Sequence, residues 1–238
     1  MISPRAEIEP VLGDYESAIA TLVASLDHIA TTRPEPTLRV MFLNNVIVSL
    51  VSISEETLRS LFQRYLYCLQ ELVDNHGVLR KELQRRNARQ GVELLRKLEA
   101  PTDSWRALEI IEKLSRCLAN TPNFELFREA LTFNQGNFRS GQITEVAKNC
   151  GMIEFLKTTC DCPSFTEYFG DDDVDRRLTI FTTKWNEVFD ERDTIIHRVS
   201  QASGWADERI RQAIELFLLV IRRVSECLIV DADSFAES

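Results

Sequence analysis

The chain has 238 residues, a formal net charge of −9 and a pI near 5.0, a balance that excludes a protein coating nucleic acid through a diffuse positive field, because counterion release needs many clustered cations. Hydrophobic residues at 44% and charged residues at 27% describe a globular chain, and eight Gly and seven Pro are too few for a turn-rich all-β fold, so an all-α protein is expected. The first thirty residues carry Glu7, Glu9, Asp14 and Glu16 without a long apolar run, and the stretches Val40 to Ile53 and Ile214 to Ile221 are short or interrupted for a membrane span; a cytoplasmic protein making no membrane contact is expected.

Leu12, Tyr15, Ile19, Leu22, Leu26 and Ile29 recur at steps of three and four, the mark of a helix with one buried face. Pro34 and Pro36 end it in a connecting loop. From Leu38 to about Val73 no Pro or Gly interrupts a helical apolar pattern, which predicts one very long helix or two nearly continuous ones with a restart at Ser54-Glu55-Glu56-Thr57. The β-branched run Val46 to Ile53 would suit a strand, but the helical repeat on either side outweighs it.

His76-Gly77 closes that segment, and a charged helix is predicted over Val78 to Leu98. Seven basic residues (Arg80, Lys81, Arg85, Arg86, Arg89, Arg96, Lys97) stand there against Glu82 and Glu93; such a run is usually a solvated helix face, while a local RNA groove stays open. Asp103 or Ser104 would cap a helix to Leu118 with Trp105, Leu108, Ile111 and Leu114 inward. Short helices over Phe124 to Leu131, Ile143 to Asn149 and Ile153 to Leu156 follow, the first two separated by a Gly- and Asn-rich loop from Phe133 to Gly141. Asp171-Asp172-Asp173 heads a long helix from Val174 to about Val199, apolar at Leu178, Phe181, Trp185, Val188, Phe189, Ile195 and Ile196, and a last helix spans Asp207 to Ile229. One domain over 1–238 is expected, its core helices in about 12–75 and 174–230 and an elaboration in about 78–170.

Six cysteines without a signal segment read as reduced thiols, and the Cys160-Asp161-Cys162 pair lacks neighbouring ligands for zinc. No phosphate-binding glycine loop, nucleophile elbow or zinc helix occurs, and three histidines make a histidine-rich metal site improbable, so no metal or cofactor is expected. The segment Glu191-Arg192-Asp193-Thr194-Ile195-Ile196-His197-Arg198 stands out near the end of an apolar helix. On its residues alone it is either an ion-paired, solvated helix end or a polar site.

Arg192-Asp193-x-x-x-His197, followed by a Ser/Gly loop and a final apolar helix, resembles the signature of the HEPN superfamily, and Asn44 to Phe62 is similar to the second helix of its prokaryotic RiboL-PSP-HEPN branch. The resemblance covers about residues 12–75 and 140–230. It implies a HEPN-like bundle of long antiparallel helices with an elaborated middle, a homodimer, and a metal-independent endoribonuclease in which Arg192 and His197 are catalytic and Asp193 orients them. Glu55, aligned through Leu58 to Phe62 with Glu56 competing, would support them. RNA, a second copy and an antitoxin protein are the partners implied, in a toxin or defence setting; the alternative is a non-catalytic module binding RNA, a nucleotide or a protein. A third reading is a structural interaction protein whose charged motif only solubilises a helix end.

The residue types suit that chemistry. Attack of an RNA 2′-hydroxyl on the adjacent phosphorus needs a proton acceptor, a proton donor and positive charge beside the developing oxyanion, which imidazole and guanidinium provide. Residues five apart sit about 140° round a helix, so Arg192 and His197 do not share a face and a site shared across a two-fold dimer is expected. Asp193 and His197, four apart, share one, and a carboxylate there would set the imidazole tautomer.

Overall fold

The computed structural model describes residues 2–98, 104–133, 137–197 and 204–236, and every regular element among them is helical. Helix α1 (Pro4–Thr32) begins well before the stripe at Leu12: Ser3 caps it, its hydroxyl accepting from the Ala6 amide at 3.4 Å, and Pro4 occupies a first turn that needs no amide donor. Arg33 closes it in the left-handed region (φ 46°). Helix α2 (Pro36–Leu72) starts three residues later, with the Glu35 carboxylate accepting from the Thr37 and Leu38 amides, so α1 and α2 form a helical hairpin.

α2 is one unbroken helix of 37 residues. Ser54 starts no second helix; its hydroxyl donates to the Leu50 carbonyl at 2.7 Å and lies 3.1 Å from the Tyr15 hydroxyl, tying α1 to α2 in the core. The β-branched run is helical because Val46, Ile47 and Val51 are buried there, and each such side chain contributes roughly 1.5–3 kcal/mol, more than the propensity it gives up. By length and composition alone α2 is apolar enough to cross a membrane, contrary to the reading from its shorter apolar run; here it is the central helix, packed by α1 and α10. Helix α10 (Asp207–Ala236) continues past Ile229, and helix α9 (Val174–His197) lies against α2 and α10. Asp173 caps α9, accepting from the amides of Asp175 and Arg176 at 2.9 and 3.0 Å. The position near Val199 lies outside the described residues.

Between these long helices lie α3 (Lys81–Arg96), α4 (Ser104–Leu118), α5 (Arg128–Thr132), α6 (Ser140–Asn149), α7 (Phe155–Cys160) and α8 (Pro163–Phe169). α3 starts three residues later than its pattern suggested, because His76–Val78 forms a separate 3-10 turn. α5 is shorter than expected: Phe124, Leu126 and Phe127 are buried in an extended segment whose Leu126 and Phe127 amides donate to the side chains of Gln70 and Asn87. α8, unforeseen, opens on Pro163 and closes on Gly170 at φ 65°. Cys160 is buried at the end of α7, Cys162 half-buried before α8, and all six cysteines are free thiols.

The inward face of α4 corrects the sequence reading. Trp105 and Leu108 are 66% and 67% exposed and Ile111 is exposed too, while Ile110 and Cys117 are buried and Leu114 partly so. The apolar arc of α4 is wide, and Gly91 decides which part of it docks: a Cβ on Gly91 would lie 2.6 Å from Leu114 Cδ2 and 2.7 Å from Phe127 Cε2. Gly91→Ala is therefore expected to destabilise the fold by about 1–3 kcal/mol through overpacking, read as a lowered urea midpoint at unchanged m-value. The caps foreseen at Asp103 or Ser104 lie outside the described residues and side chains.

One polar cluster pins the middle to the long helices, and a second ties the middle together. Asp231 of α10 accepts from Tyr65 of α2 and, at 3.0 Å, from Arg80 just before α3. Buried His76 lies 3.3 Å from the Asn87 amide and edge-on to Phe124. Desolvation pulls His76 below the ordinary histidine range, outweighing a backbone hydrogen bond at Cys117 that raises it, with the Lys81 charge adding to the depression. The folded protein then binds fewer protons at this site than the unfolded chain, so its contribution to stability is complete above about pH 6.5 and is lost as pH falls toward the folded value. Thermal melts at pH 7.5 and 5.5 are expected to show this drop in the wild type and a smaller one in His76→Asn.

Candidate active site

The last two turns of α9 carry Arg192, Asp193 and His197. The helix reaches them along a buried aromatic face, Phe181, Trp185 and Phe189, with Trp185 stacked on Phe217 of α10 at a ring separation of 3.9 Å. The Trp185 indole N–H donates to the Phe138 carbonyl at 2.9 Å, and Asn186 Oδ1 accepts from the Ser140 amide at 3.1 Å. These bonds lay the extended segment 137–139, which precedes α6, across the end of α9.

From that segment Asn137 Nδ2 donates to Asp193 Oδ1 and Oδ2 (3.1 and 3.3 Å), and Arg139 Nη2 donates to Asp193 Oδ2 at 2.9 Å. Arg139 Nη1 reaches Asp190 at 2.7 Å. Arg192 Nη1 donates to Asp193 Oδ1 at 2.8 Å and to Asn137 Oδ1 at 3.3 Å. Its Nε is buried without an acceptor among the described residues, a hydrogen bond the fold leaves unmade. Burial raises the Asp193 carboxyl, but hydrogen bonds from Arg192 and Arg139 and their charges outweigh it and hold the group below the usual carboxylate range.

Glu55 joins the same cluster from α2. Its Oε1 accepts from the Phe138 amide at 2.8 Å, whereas Glu56 points outward and pairs with Arg59 at 2.6 Å, so of the two competing carboxylates Glu55 meets the segment beside Asp193. Four of the residues expected at the site, Glu55, Arg192, Asp193 and His197, thus lie around one end of α9, three of them linked through residues 137–139. His197 is exposed on the final turn and forms no hydrogen bond or ion pair among the described residues. The bond foreseen between Asp193 and His197 is not made, because both oxygens of Asp193 are taken up by Arg139, Arg192 and Asn137. Ile196, expected inward, is 49% exposed; the buried face of α9 passes through Ile195, and the next residue is turned some 100° away.

The sequence pattern places Asn137 and Arg139 only in a turn-forming loop and carries no sign of the partners they meet. Arg139 is separated from Asp193 by 54 residues, and no local pattern connects them.

Among the described residues no group of three His, Cys, Asp or Glu side chains is placed to hold a metal ion. A groove of about 590 Å³ opens elsewhere, between α3, α4 and the segment leading into α5, lined by compensating charges that include Lys113 with Glu109 and Glu125. Comparison of the chain with protein-family models, with curated proteins and with solved structures found no match.

Proposed function

We propose that the protein is a metal-independent endoribonuclease of HEPN type whose site is built around Arg192 and His197. The observation that carries this reading is the pairing of a part-buried guanidinium, braced by Asp193 and Asn137, with an exposed, uncommitted imidazole little more than one helical turn on. In the reaction the RNA 2′-oxygen gives its proton to a base and bonds to phosphorus, the bond from phosphorus to the 5′-oxygen breaks, and that oxygen takes a proton. The products are a 2′,3′-cyclic phosphate and a 5′-hydroxyl. His197 serves as one proton-transfer group and Arg192 stabilises the equatorial oxygens; Asp193 and Asn137 brace Arg192, Arg139 holds Asp193, and Glu55 holds the segment that carries Asn137.

One imidazole serves one end of the reaction, and a homodimer supplies the second. Leu38, Met41 and Phe42, exposed at the start of α2, offer an apolar surface to a second copy. An antitoxin protein and a toxin or defence role in the cytoplasm belong to this reading through the HEPN resemblance alone.

A second reading draws on Asp193. Its full engagement with Arg139, Arg192 and Asn137 leaves His197 without an orienting carboxylate, which favours a non-catalytic module binding RNA, a nucleotide or a protein. Incubating the purified chain with single-stranded RNA in EDTA separates the two. Fragments ending in cyclic phosphate, produced by the wild type and not by His197→Ala, support the nuclease; RNA that is bound but stays intact supports the module.

A further inference from the structure

We propose that the outward face of α3 is a track for single-stranded RNA, with Lys81, Arg85 and Arg89 taking successive backbone phosphates; this rests on the ribonuclease reading of the site. α3 carries five cations and two anions in a chain of net charge −9. Its two carboxylates are already committed, Glu82 to Arg86 at 2.9 Å and Glu93 to Arg96 at 3.1 Å. Arg86 also reaches Glu145 of α6, and Arg80, just ahead of the helix, is held by Asp231. Lys81, Arg85 and Arg89 are exposed and have no ion pair among the described residues; Lys81 reaches only the Gln84 side-chain oxygen, at 3.4 Å.

These three are four residues apart, on the side of α3 opposite its buried Leu83, Asn87 and Gly91. A four-residue step advances about 6 Å along a helix, close to the one-per-nucleotide repeat of phosphates in an extended strand. Two of the three are arginines, whose planar fork takes a phosphate through two parallel hydrogen bonds. Such a repeat of equal charges fits a polyanion of regular spacing better than an acidic protein surface, where carboxylates are irregular.

The direction of α3 connects the ridge to the site. Arg80 lies against Gly151 just past the end of α6, and Arg86 bonds Glu145 at 3.1 Å in its middle, so α3 runs antiparallel to α6. The Arg89 end of the ridge therefore heads toward the start of α6, where Arg139 and Asn137 hold Asp193. No aromatic residue occurs in α3, so the track holds the phosphate backbone without stacking on bases and discriminates little between sequences.

The test uses the full chain carrying Lys81→Gln, Arg85→Gln and Arg89→Gln, with binding of a labelled single-stranded RNA followed by fluorescence anisotropy in EDTA, in a His197→Ala background that prevents cutting. Loss of three phosphate contacts is expected to weaken binding about tenfold or more at low salt and to reduce the slope of log affinity against log salt by about 2. Neutralising Arg5, Arg64 and Arg222, which are already ion-paired on α1, α2 and α10, is expected to change neither by as much. With His197 restored, the ridge variant is expected to keep its cleavage rate at saturating RNA while KM rises. Unchanged affinity and slope, or an equal loss from the control substitutions, overturns the track. So does binding of the wild type to anionic phospholipid vesicles or polyglutamate but not to RNA. Ridge-dependent RNA binding by a protein that never shortens RNA leaves the track standing and removes only the nuclease.

Discussion

Replacing His197 with alanine is expected to lower the rate of RNA cleavage in EDTA by about 10²–10⁴-fold, the usual contribution of a positioned proton-transfer group, without moving the melting temperature. The second half of that expectation follows from the structure: His197 is exposed at the end of α9 and makes no hydrogen bond or ion pair among the described residues, so its removal leaves the packing of α9 intact. Arg192→Ala is a different kind of variant. It frees Asp193 and Asn137 from one partner each, and some loss of stability accompanies its loss of activity. If the site needs an imidazole from each of two copies, mixing wild type with an excess of His197→Ala protein lowers cleavage further than dilution alone, because a mixed dimer holds a single imidazole. Cleavage by His197→Ala at the wild-type rate would remove that residue from the chemistry.

Trp185→Ala is expected to have the largest effect on stability, about 3–5 kcal/mol, or a fall in melting temperature on the order of 10 °C. The indole is fully buried, stacks on Phe217 and sits between Phe181 and Phe189, so truncation opens a cavity in the face that seats α9. It also removes the donor to the Phe138 carbonyl, and that bond is one of the few fixing the segment that carries Asn137 and Arg139. Trp185→Phe separates the two effects: it retains most of the apolar volume and loses the hydrogen bond, for a cost of about 1–3 kcal/mol. A calorimetric melt of each variant checks the ordering, and Trp185→Ala melting as the wild type would mean that α9 is seated by other contacts.

The long helices were legible because their signals are local. Apolar spacing marked α1 and the inner face of α9, and the proline pair marked the break at residues 34–36. Ser54 shows where local reasoning stops: a serine followed by two glutamates looks like a helix start, but in the fold its hydroxyl serves Leu50 and Tyr15 and α2 runs on. α4 shows the same limit from the other side. Its apolar residues cover a wide arc, and the sequence ranks Trp105 and Leu108 as better core residues than Cys117; the close approach at Gly91 turns Ile110 and Cys117 inward instead.

The amino-acid order by itself determined that this chain is helical, where its longest helices break, and which short stretch concentrates guanidinium, carboxylate and imidazole, since each depends on residues within a turn or two of one another. Only the tertiary structure decided which groups that stretch meets. Glu55 and Phe138 are 83 residues apart and Asn137 and Asp193 are 56, and such pairings follow from how α2, α6 and α9 pack, a collective minimum of burial and hydrogen bonding that no local pattern encodes.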